Sequence, residues 1–415
     1  MLVSSDGRVV ETRRLLQVLA HREVGDLEWP PAATWDWQSF AEACDRHQVT
    51  PNIYCKFQGL TPTVVPPGLL EHLRTRFQES CVHNYRLAKK LIDLTSMLEN
   101  EGVPVLALKG PSLAMAVYGG LSLRHCLDLD LVIRKEELVT AARLMKAWGF
   151  QAKPTPAMPQ IRPYLCHPED PQHVERGNEI ELLSPDGTFY VDLHWQLGDP
   201  FWRPFSPDVE EFWIRAKRQD LPLGSVLMPC REDLFLALSA HGTRHRWLYL
   251  KWLLDIAELL RNPGTLDWSR IEEMARNCHG VGASASVALI LARDLLEVHL
   301  PPEVERILPA TARTMALASA IREELLLWGQ TSGDEHSTLL ALEDRKVARI
   351  TYHAVRIFRY PESLIRQMIL EVDPKDRDLI RLPQRLQFLY HFIRPMRLAV
   401  KHCLRLARML LPMAA

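Results

Sequence analysis

The stretch LDLDLVI, residues 127–133, alternates between leucine and aspartate before it becomes wholly apolar. Successive side chains of a β-strand point to opposite faces, so a strand here puts Asp128 and Asp130 on one face and the leucines Leu127, Leu129 and Leu131 on the other. Two carboxylates at this spacing repel each other unless a cation lies between them, and their hard oxygen atoms suit Mg²⁺. The alternative interpretation is an exposed strand with one polar face. The stretch predicts a strand and a candidate metal platform.

A strand, a turn and a helix are predicted directly upstream. The short apolar run VPVLAL begins at Val103 and is typical of a buried strand, and Lys109 and Gly110 then lead into a helix opened by Pro111 and Ser112. A glycine lets the backbone approach a ligand closely, and free amides at a helix N-terminus attract anions. The turn is therefore a candidate phosphate cradle, although an ordinary strand-to-helix turn has the same sequence pattern.

A third carboxylate lies on a second alternating segment. In residues 190–196, Asp192 and His194 share one face of the predicted strand, and apolar residues occupy the other. This strand and the preceding run EIELL are joined by the turn sequence SPDG, which indicates a hairpin. If the strand pairs beside that of Asp128, three acids converge on one or two Mg²⁺ ions. His194 would then orient Asp192 or contact a substrate, or serve as a structural hydrogen-bond partner.

Composition limits the classes of protein that remain. The 415 residues include 50 basic and 51 acidic ones, so the net charge of -1 gives no chain-wide reason to bind nucleic acid or an anionic membrane. A hydrophobic share of 47% and a charged share of 24% match a globular protein with two or three domains. Eight scattered cysteines without a Cys-x-x-Cys pair, and no long apolar run, predict a cytoplasmic protein with reduced thiols and no membrane span.

Hydrophobic periodicity divides the chain into three predicted parts. Residues 1–100 form an N-terminal helical domain, in which one helix covers about 68–79 and another carries leucines at helical spacing at positions 87, 91, 94 and 98. Residues 101–205 form an α+β core. Residues 206–415 form a C-terminal helical domain, including a helical run over 231–260 and a basic tail.

Several segments resemble a known family. LKGPSLAMAVY at 108–118, Arg124 followed by Asp128-Leu129-Asp130, and VDLHW at 191–195 resemble the nucleotidyltransferase superfamily of DNA polymerase β. The similarity is closer to its bacterial branch of largely uncharacterised nucleotidyltransferases. It extends to WDWQSFAEACDRHQVTPNIYCKF and HGTRHRWLYLKWLLDIAELL, so that it covers most of residues 35–260. The resemblance implies a polymerase β-type core, a small mixed sheet with helices, flanked by helical regions.

The resemblance implies the metal ligands of the site. Asp128 and Asp130 would hold both metal ions, and Asp192 would complete the catalytic metal site. The ions would be Mg²⁺, with Mn²⁺ as the alternative, and an NTP would be the co-substrate. Asp192 is also the candidate base for the attacking hydroxyl.

The resemblance also assigns residues to the nucleotide phosphates. Gly110 and Ser112 would contact them, although the usual Gly-Ser or Gly-Gly pair is replaced by Lys-Gly-Pro-Ser, which puts the serine one place late. Arg124 matches an arginine of the closer branch and would neutralise triphosphate charge. From its position beside the turn, Lys109 is the other candidate to assist the leaving pyrophosphate. The alternative for Arg124 is an arginine in a surface loop.

A histidine pair lies in the downstream segment that shares the resemblance. His241 and His245 are four residues apart on a predicted helix, a spacing that can bind zinc, but the glutamate of His-Glu-x-x-His is missing. We therefore favour packing or contact with the acceptor. The apolar stripe of Trp247, Leu250, Leu254 and Ala257 predicts that the helical region docks on the core.

The predicted activity is transfer of a nucleoside monophosphate from an NTP to a hydroxyl or phosphate of a small-molecule, sugar or peptide acceptor, with release of pyrophosphate. A non-catalytic nucleotide-binding or scaffold protein of the same fold is one alternative. The other is an enzyme acting on a nucleic-acid end, which rests only on the basic tail. That tail could also meet an anionic surface, and contains Arg381, Arg385, Arg394, Arg397, Lys401, Arg405 and Arg408.

Overall fold

The structure is a computed structural model in which the chain separates into two compact units, residues 1–343 and 344–415. The described residues are 5–22, 34–152, 178–198, 205–262, 266–308, 310–327, 335–343 and 397. The predicted basic tail, apart from Arg397, therefore lies outside the described residues. The division into three predicted domains stays a prediction.

The first unit contains a five-stranded mixed sheet with strand order β1-β2-β5-β4-β3. Its strands are β1 (Leu106–Ala107), β2 (Asp128–Val132), β3 (Gln151–Ala152), β4 (Glu179–Leu183) and β5 (Tyr190–His194). Only β2 and β5 run parallel to each other, and the remaining neighbours are antiparallel. The predicted strand of the LDLDLVI stretch and the predicted hairpin of β4 and β5 are both confirmed.

The apolar face of the sheet is the core of this region. Leu129 and Leu131 of β2, and Val191 and Leu193 of β5, are all at most 1% exposed and lie in one hydrophobic cluster with the helical leucines predicted at 87, 91, 94 and 98. The expectation that Leu127 shares this face is wrong, since its side chain is 48% exposed. Strand pairing begins only at Asp128, so Leu127 precedes the ladder.

The N-terminal region is helical, as predicted. Its helices are α1 (Ser5–Ala20), α2 (Trp37–Arg46), α3 (Thr50–Phe57) and α4 (Pro67–Asn100). The two helices predicted at 68–79 and around 87–98 are one continuous helix, α4, because neither glycine nor proline occurs after Gly68 to interrupt it. Helices also follow the last strand of the sheet in sequence. This arrangement confirms the α+β class, with a small mixed sheet between helical regions.

The region after residue 206 combines helices with a short hairpin. Its described α-helices are α7 (Val209–Arg215), α8 (Arg231–Arg244), α9 (Leu250–Arg261), α10 (Trp268–Asn277), α11 (His279–Leu296), α12 (Glu303–Ile307), α13 (Ala312–Leu326) and α14 (Glu335–Leu342). The two preceding helices, α5 (Pro111–Tyr118) and α6 (Leu138–Ala147), lie between strands of the sheet in sequence. The hairpin consists of β6 (Lys217–Leu221) and β7 (Gly224–Met228). The expectation of helix alone after 206 is wrong here, because Pro222 and Leu223 form a tight turn that lets these short segments pair.

The predicted helical run over 231–260 is broken between α8 and α9. Arg246 and Trp247 adopt positive φ angles of 53° and 52°, and the Trp247 amide donates to the Gly242 carbonyl at 2.7 Å. This turn inserts the Trp247 ring into the core, where it is 0% exposed. Leu250 and Leu254 are also buried, which confirms the predicted docking stripe.

Gly242→Ala is expected to destabilise this turn. A Cβ atom at Gly242 would lie 2.6 Å from the Trp247 ring, so the ring must shift in a packed core. We expect the free energy of unfolding to fall by about 1–3 kcal/mol, measured by urea denaturation followed by circular dichroism. Gly68→Ala is the control, because a Cβ there has nothing within 4 Å. Equal stability of the two variants would contradict the packing argument.

Candidate active site

The register of the central strands brings acidic side chains together. Asp130 of β2 is the direct partner of Asp192 on β5 in the parallel ladder. Asp130, Asp192 and His194 each offer one ligand atom, and these atoms lie within 4.8 Å of one another. The convergence expected from pairing of the two strands is therefore present for two of the three predicted acids. Asp128 lies outside this group of three, although it lines the same cavity.

A cavity of about 490 Å³ lies over these carboxylates. Its walls come from the sheet, the turn after β1, the end of α8, the first half of α9, and the turn between α2 and α3. The side chains that line it are Gln48, Lys109, Arg124, Leu127, Asp128, Asp130, Asn178, Glu179, Glu181, Asp192, His194, His241, Arg244, His245, Tyr249, Lys251 and Trp252.

Asp130 is held by two basic groups. The Nζ atom of Lys109 donates to Asp130 Oδ1 at 2.7 Å, and His194 Nε2 lies 3.4 Å from the same oxygen. Burial favours the neutral form of Asp130, but Lys109 and His194 outweigh burial and lower its pKa below the usual range. Burial likewise lowers the pKa of His194, but Asp130 and Glu179 outweigh it and raise that pKa to about 9. The paired groups are therefore charged at neutral pH.

Asp192 has the opposite environment. Its Oδ1 atom is buried without a hydrogen-bond partner among the described residues. Burial, followed by repulsion from Asp130 and Asp128, raises the pKa of Asp192 to about 7. Burial and the charge of Asp130 also raise the pKa of Asp128. A buried carboxylate oxygen that lacks a partner and lies near two further carboxylates fits a bound divalent cation, whose charge would offset the repulsion.

The turn before α5 approaches β2 closely. Gly110 has a φ angle of 64°, and a Cβ atom there would lie 3.0 Å from the Asp128 carbonyl oxygen, so the position favours glycine. Ser112 is wholly buried, and its hydroxyl donates to the Lys109 carbonyl at 2.8 Å. The structure thus puts the Ser112 hydroxyl inside the turn, whereas the Lys109 side chain reaches the cavity.

Arg124 forms a buried ion pair. Its Nε and Nη2 atoms donate to the two Asp255 carboxylate oxygens at 2.8 and 2.9 Å, and the Tyr118 hydroxyl donates to the same carboxylate at 2.8 Å. Arg124 is 4% exposed, so the alternative of a surface-loop arginine is wrong. Its charge is already balanced by Asp255, and its predicted contact with a triphosphate stays a prediction.

His241 and His245 lie at the end of α8, with ring centroids 4.7 Å apart. Within the described part of the chain, the only group of three or more potential metal-ligating side chains is that of Asp130, Asp192 and His194, so no third ligand joins the histidine pair. Burial, aided by the nearby cation of Lys109, lowers the pKa of His241 well below its usual value. The His241 ring is therefore uncharged where it lines the cavity. Contact of the histidine pair with an acceptor stays a prediction.

Nine of the lining residues were not among the predicted site residues. Lys251 is 7% exposed, and its Nζ donates to Gln48 Oε1 at 2.5 Å. Burial and then Arg124 lower the pKa of Lys251 to about 8. Lys251 stands among apolar residues at the start of α9, and this is the sequence signal that could have identified it as a site residue. The turn residue Gln48 gives no such signal. The remaining seven are Leu127, Asn178, Glu179, Glu181, Arg244, Tyr249 and Trp252.

Comparison with known proteins supports the resemblance seen in the sequence. Neither the curated proteins nor the solved structures include a match to this chain. Within the described residues, no helix combines the length and apolar character that crossing a membrane requires. A family model described as uncharacterised nucleotidyltransferase matches residues 33–297, which hold the sheet, the cavity and helices α2 to α11, and the chain belongs to this family.

Proposed function

We propose that the protein transfers a nucleoside monophosphate from an NTP to a hydroxyl or phosphate of an acceptor, in a metal-dependent reaction that releases pyrophosphate. The observation that carries the proposal is the register of β2 and β5, which pairs Asp130 with Asp192 and leaves an Asp192 oxygen without a partner. Family membership supports the same reaction class.

Asp128, Asp130 and Asp192 are the residues that would hold the metal. Mg²⁺, or Mn²⁺ in its place, would supply neutralisation of phosphate charge and alignment of the attacking and leaving oxygens, in a site for two ions. Asp192 is also the proposed base for the attacking hydroxyl, because its carboxylate lines the cavity beside Asp130.

Basic residues of the cavity would position the nucleotide. Lys109 donates to Asp130 and lines the cavity, so it is placed to hold Asp130 in orientation and to counter the charge of a nearby phosphate. Gly110 keeps the turn close to β2. We propose a small-molecule, sugar or peptide acceptor and a cytoplasmic reaction, as expected from the sequence.

The decisive experiment uses NTPs labelled at the α- or the γ-phosphate. The protein is incubated with Mg²⁺, each NTP and panels of sugars, small molecules and peptides, and both labels are followed. We expect the α label to enter the acceptor while the γ label leaves as pyrophosphate. Transfer of the γ label alone would identify a kinase. Thermal stabilisation by NTP without any pyrophosphate release, across all acceptors, would favour the non-catalytic alternative.

A further inference from the structure

One wall of the cavity is made of aromatic rings. Trp252 contacts His241 in a T-shaped arrangement with ring centroids 4.9 Å apart, and it contacts Tyr249 in the same way at 5.1 Å. The ring of His245 is tilted against Trp252 at 5.7 Å. These four residues, which we call the aromatic wall, come from the end of α8 and the start of α9.

The aromatic wall is not part of the hydrophobic core. All four of its side chains are half-buried and line the cavity that holds the carboxylates. Trp247, only a few residues away, shows the contrast, because its ring is 0% exposed and packs against Gly242. Rings that complete a core lie like Trp247, whereas half-buried rings in a polar cavity offer surface to a ligand.

The cavity therefore combines two kinds of surface. Carboxylates, Lys109 and Lys251 make one part strongly charged, while the aromatic wall offers rings without formal charge at Trp252, Tyr249 and His241. An NTP has the same two parts, a highly charged triphosphate and an uncharged planar base. The complementarity favours the nucleotide, rather than the acceptor, as the occupant of the aromatic wall.

We propose that Trp252, with Tyr249, His241 and His245, forms the subsite for the nucleobase of the NTP and binds it by stacking. This inference rests on the proposed function, since it assumes that an NTP occupies the cavity. Stacking accepts any base, because every base has a π face. The subsite therefore predicts a nucleotide preference that follows ring size, with purines bound more tightly than pyrimidines.

The test compares ligands with and without a base. Calorimetry in the presence of Mg²⁺ measures the binding of α,β-methylene-ATP and of inorganic tripolyphosphate to the full chain. We expect the wild-type protein to bind the nucleotide at least about ten-fold more tightly than tripolyphosphate. Trp252→Leu should remove this difference and leave tripolyphosphate binding unchanged, while Trp252→Phe should retain most of it. Trp213→Leu is the control, because Trp213 lies against Arg134 and does not line the cavity.

Two outcomes would overturn the inference. One is equal affinity of the wild-type protein for the nucleotide and tripolyphosphate, and the other is an unchanged advantage of the nucleotide in folded Trp252→Leu. Thermal unfolding shows whether each variant is folded. If Trp252→Leu does not fold, Trp252→Met is the second variant without an aromatic ring, and a nucleotide advantage that it leaves unchanged would also overturn the inference. A different result would count against the proposed function, namely that the wild-type protein does not bind tripolyphosphate in the presence of Mg²⁺. The two failures are therefore distinguishable.

Discussion

Asp192→Asn is expected to lower the rate of nucleotidyl transfer by roughly 100-fold or more, because a metal ligand supplies several kcal/mol of transition-state stabilisation. The asparagine keeps the shape of the side chain and removes its charge. Transfer of α-phosphate label into the acceptor, or pyrophosphate release, measures the loss. Full activity of the folded variant would contradict the role of Asp192 in holding the metal.

The same substitution is expected to stabilise the metal-free protein. The Asp192 carboxylate is buried near Asp130 and Asp128, and one of its oxygens lacks a partner among the described residues. Removing this charge relieves the repulsion, so we expect the free energy of unfolding in EDTA to rise by on the order of 1 kcal/mol at pH 8. Urea denaturation measures the change.

Asp130→Asn is the matched comparison, because it removes a neighbouring carboxylate that does have partners. Lys109 and the buried His194 would lose their shared counter-charge. We therefore expect a fall in the free energy of unfolding of about 3 kcal/mol, together with loss of transfer. If both variants were destabilised equally, the contrast would be wrong between Asp130, which has two ion-pair partners, and Asp192, whose Oδ1 atom has no hydrogen-bond partner among the described residues.

Arg124→Met is expected to have the largest effect on stability, a loss of about 3–5 kcal/mol in the free energy of unfolding. Among the described residues, the substitution leaves the Asp255 carboxylate, which is 0% exposed, with the Tyr118 hydroxyl as its remaining side-chain donor. A buried charge without a counter-ion is costly, whereas methionine preserves most of the packing of the arginine side chain. Urea denaturation at pH 7 measures the loss.

A double substitution separates the cost of the unpaired charge from the loss of packing. Arg124→Met combined with Asp255→Leu removes both charges, so we expect it to recover most of the stability lost in Arg124→Met. Lys89→Met is the control, since the Lys89–Asp93 pair on α4 is exposed and worth about 0.5 kcal/mol or less. A double variant no more stable than Arg124→Met would indicate that packing, rather than charge, dominates at this site.

The sheet was the most predictable part of the molecule. Strict alternation in β2 and β5 predicts which side chains face the core, because one buried face fixes the register of a strand. Asp130 and Asp192 were therefore recognisable as residues on the polar face. The alternation of each strand does not reveal that they are neighbours, and this depends on the parallel pairing of strands that are far apart in sequence.

The rest of the cavity depends on contacts between distant segments. Arg124 and Asp255 are 131 residues apart, and each alone has the sequence pattern of an ordinary charged residue. Gln48 reaches Lys251 across 203 residues. The hairpin of β6 and β7 was missed because its strands are short and one is mainly polar, so that helical periodicity on either side dominated the interpretation.

The contact between Gln48 and Lys251 has a consequence for dissecting the enzyme. Because the amide of Lys251 also donates to the His47 carbonyl at 3.2 Å, the turn after α2 fastens the start of α9 beside the carboxylates. A shortened protein that began at β1 would keep Asp128, Asp130 and Asp192 but lose both hydrogen bonds to Lys251. The smallest fragment that turns over substrate should therefore include the N-terminal helices. Random mutagenesis should also find variants with altered turnover in the turn after α2, which is far in sequence from the carboxylates.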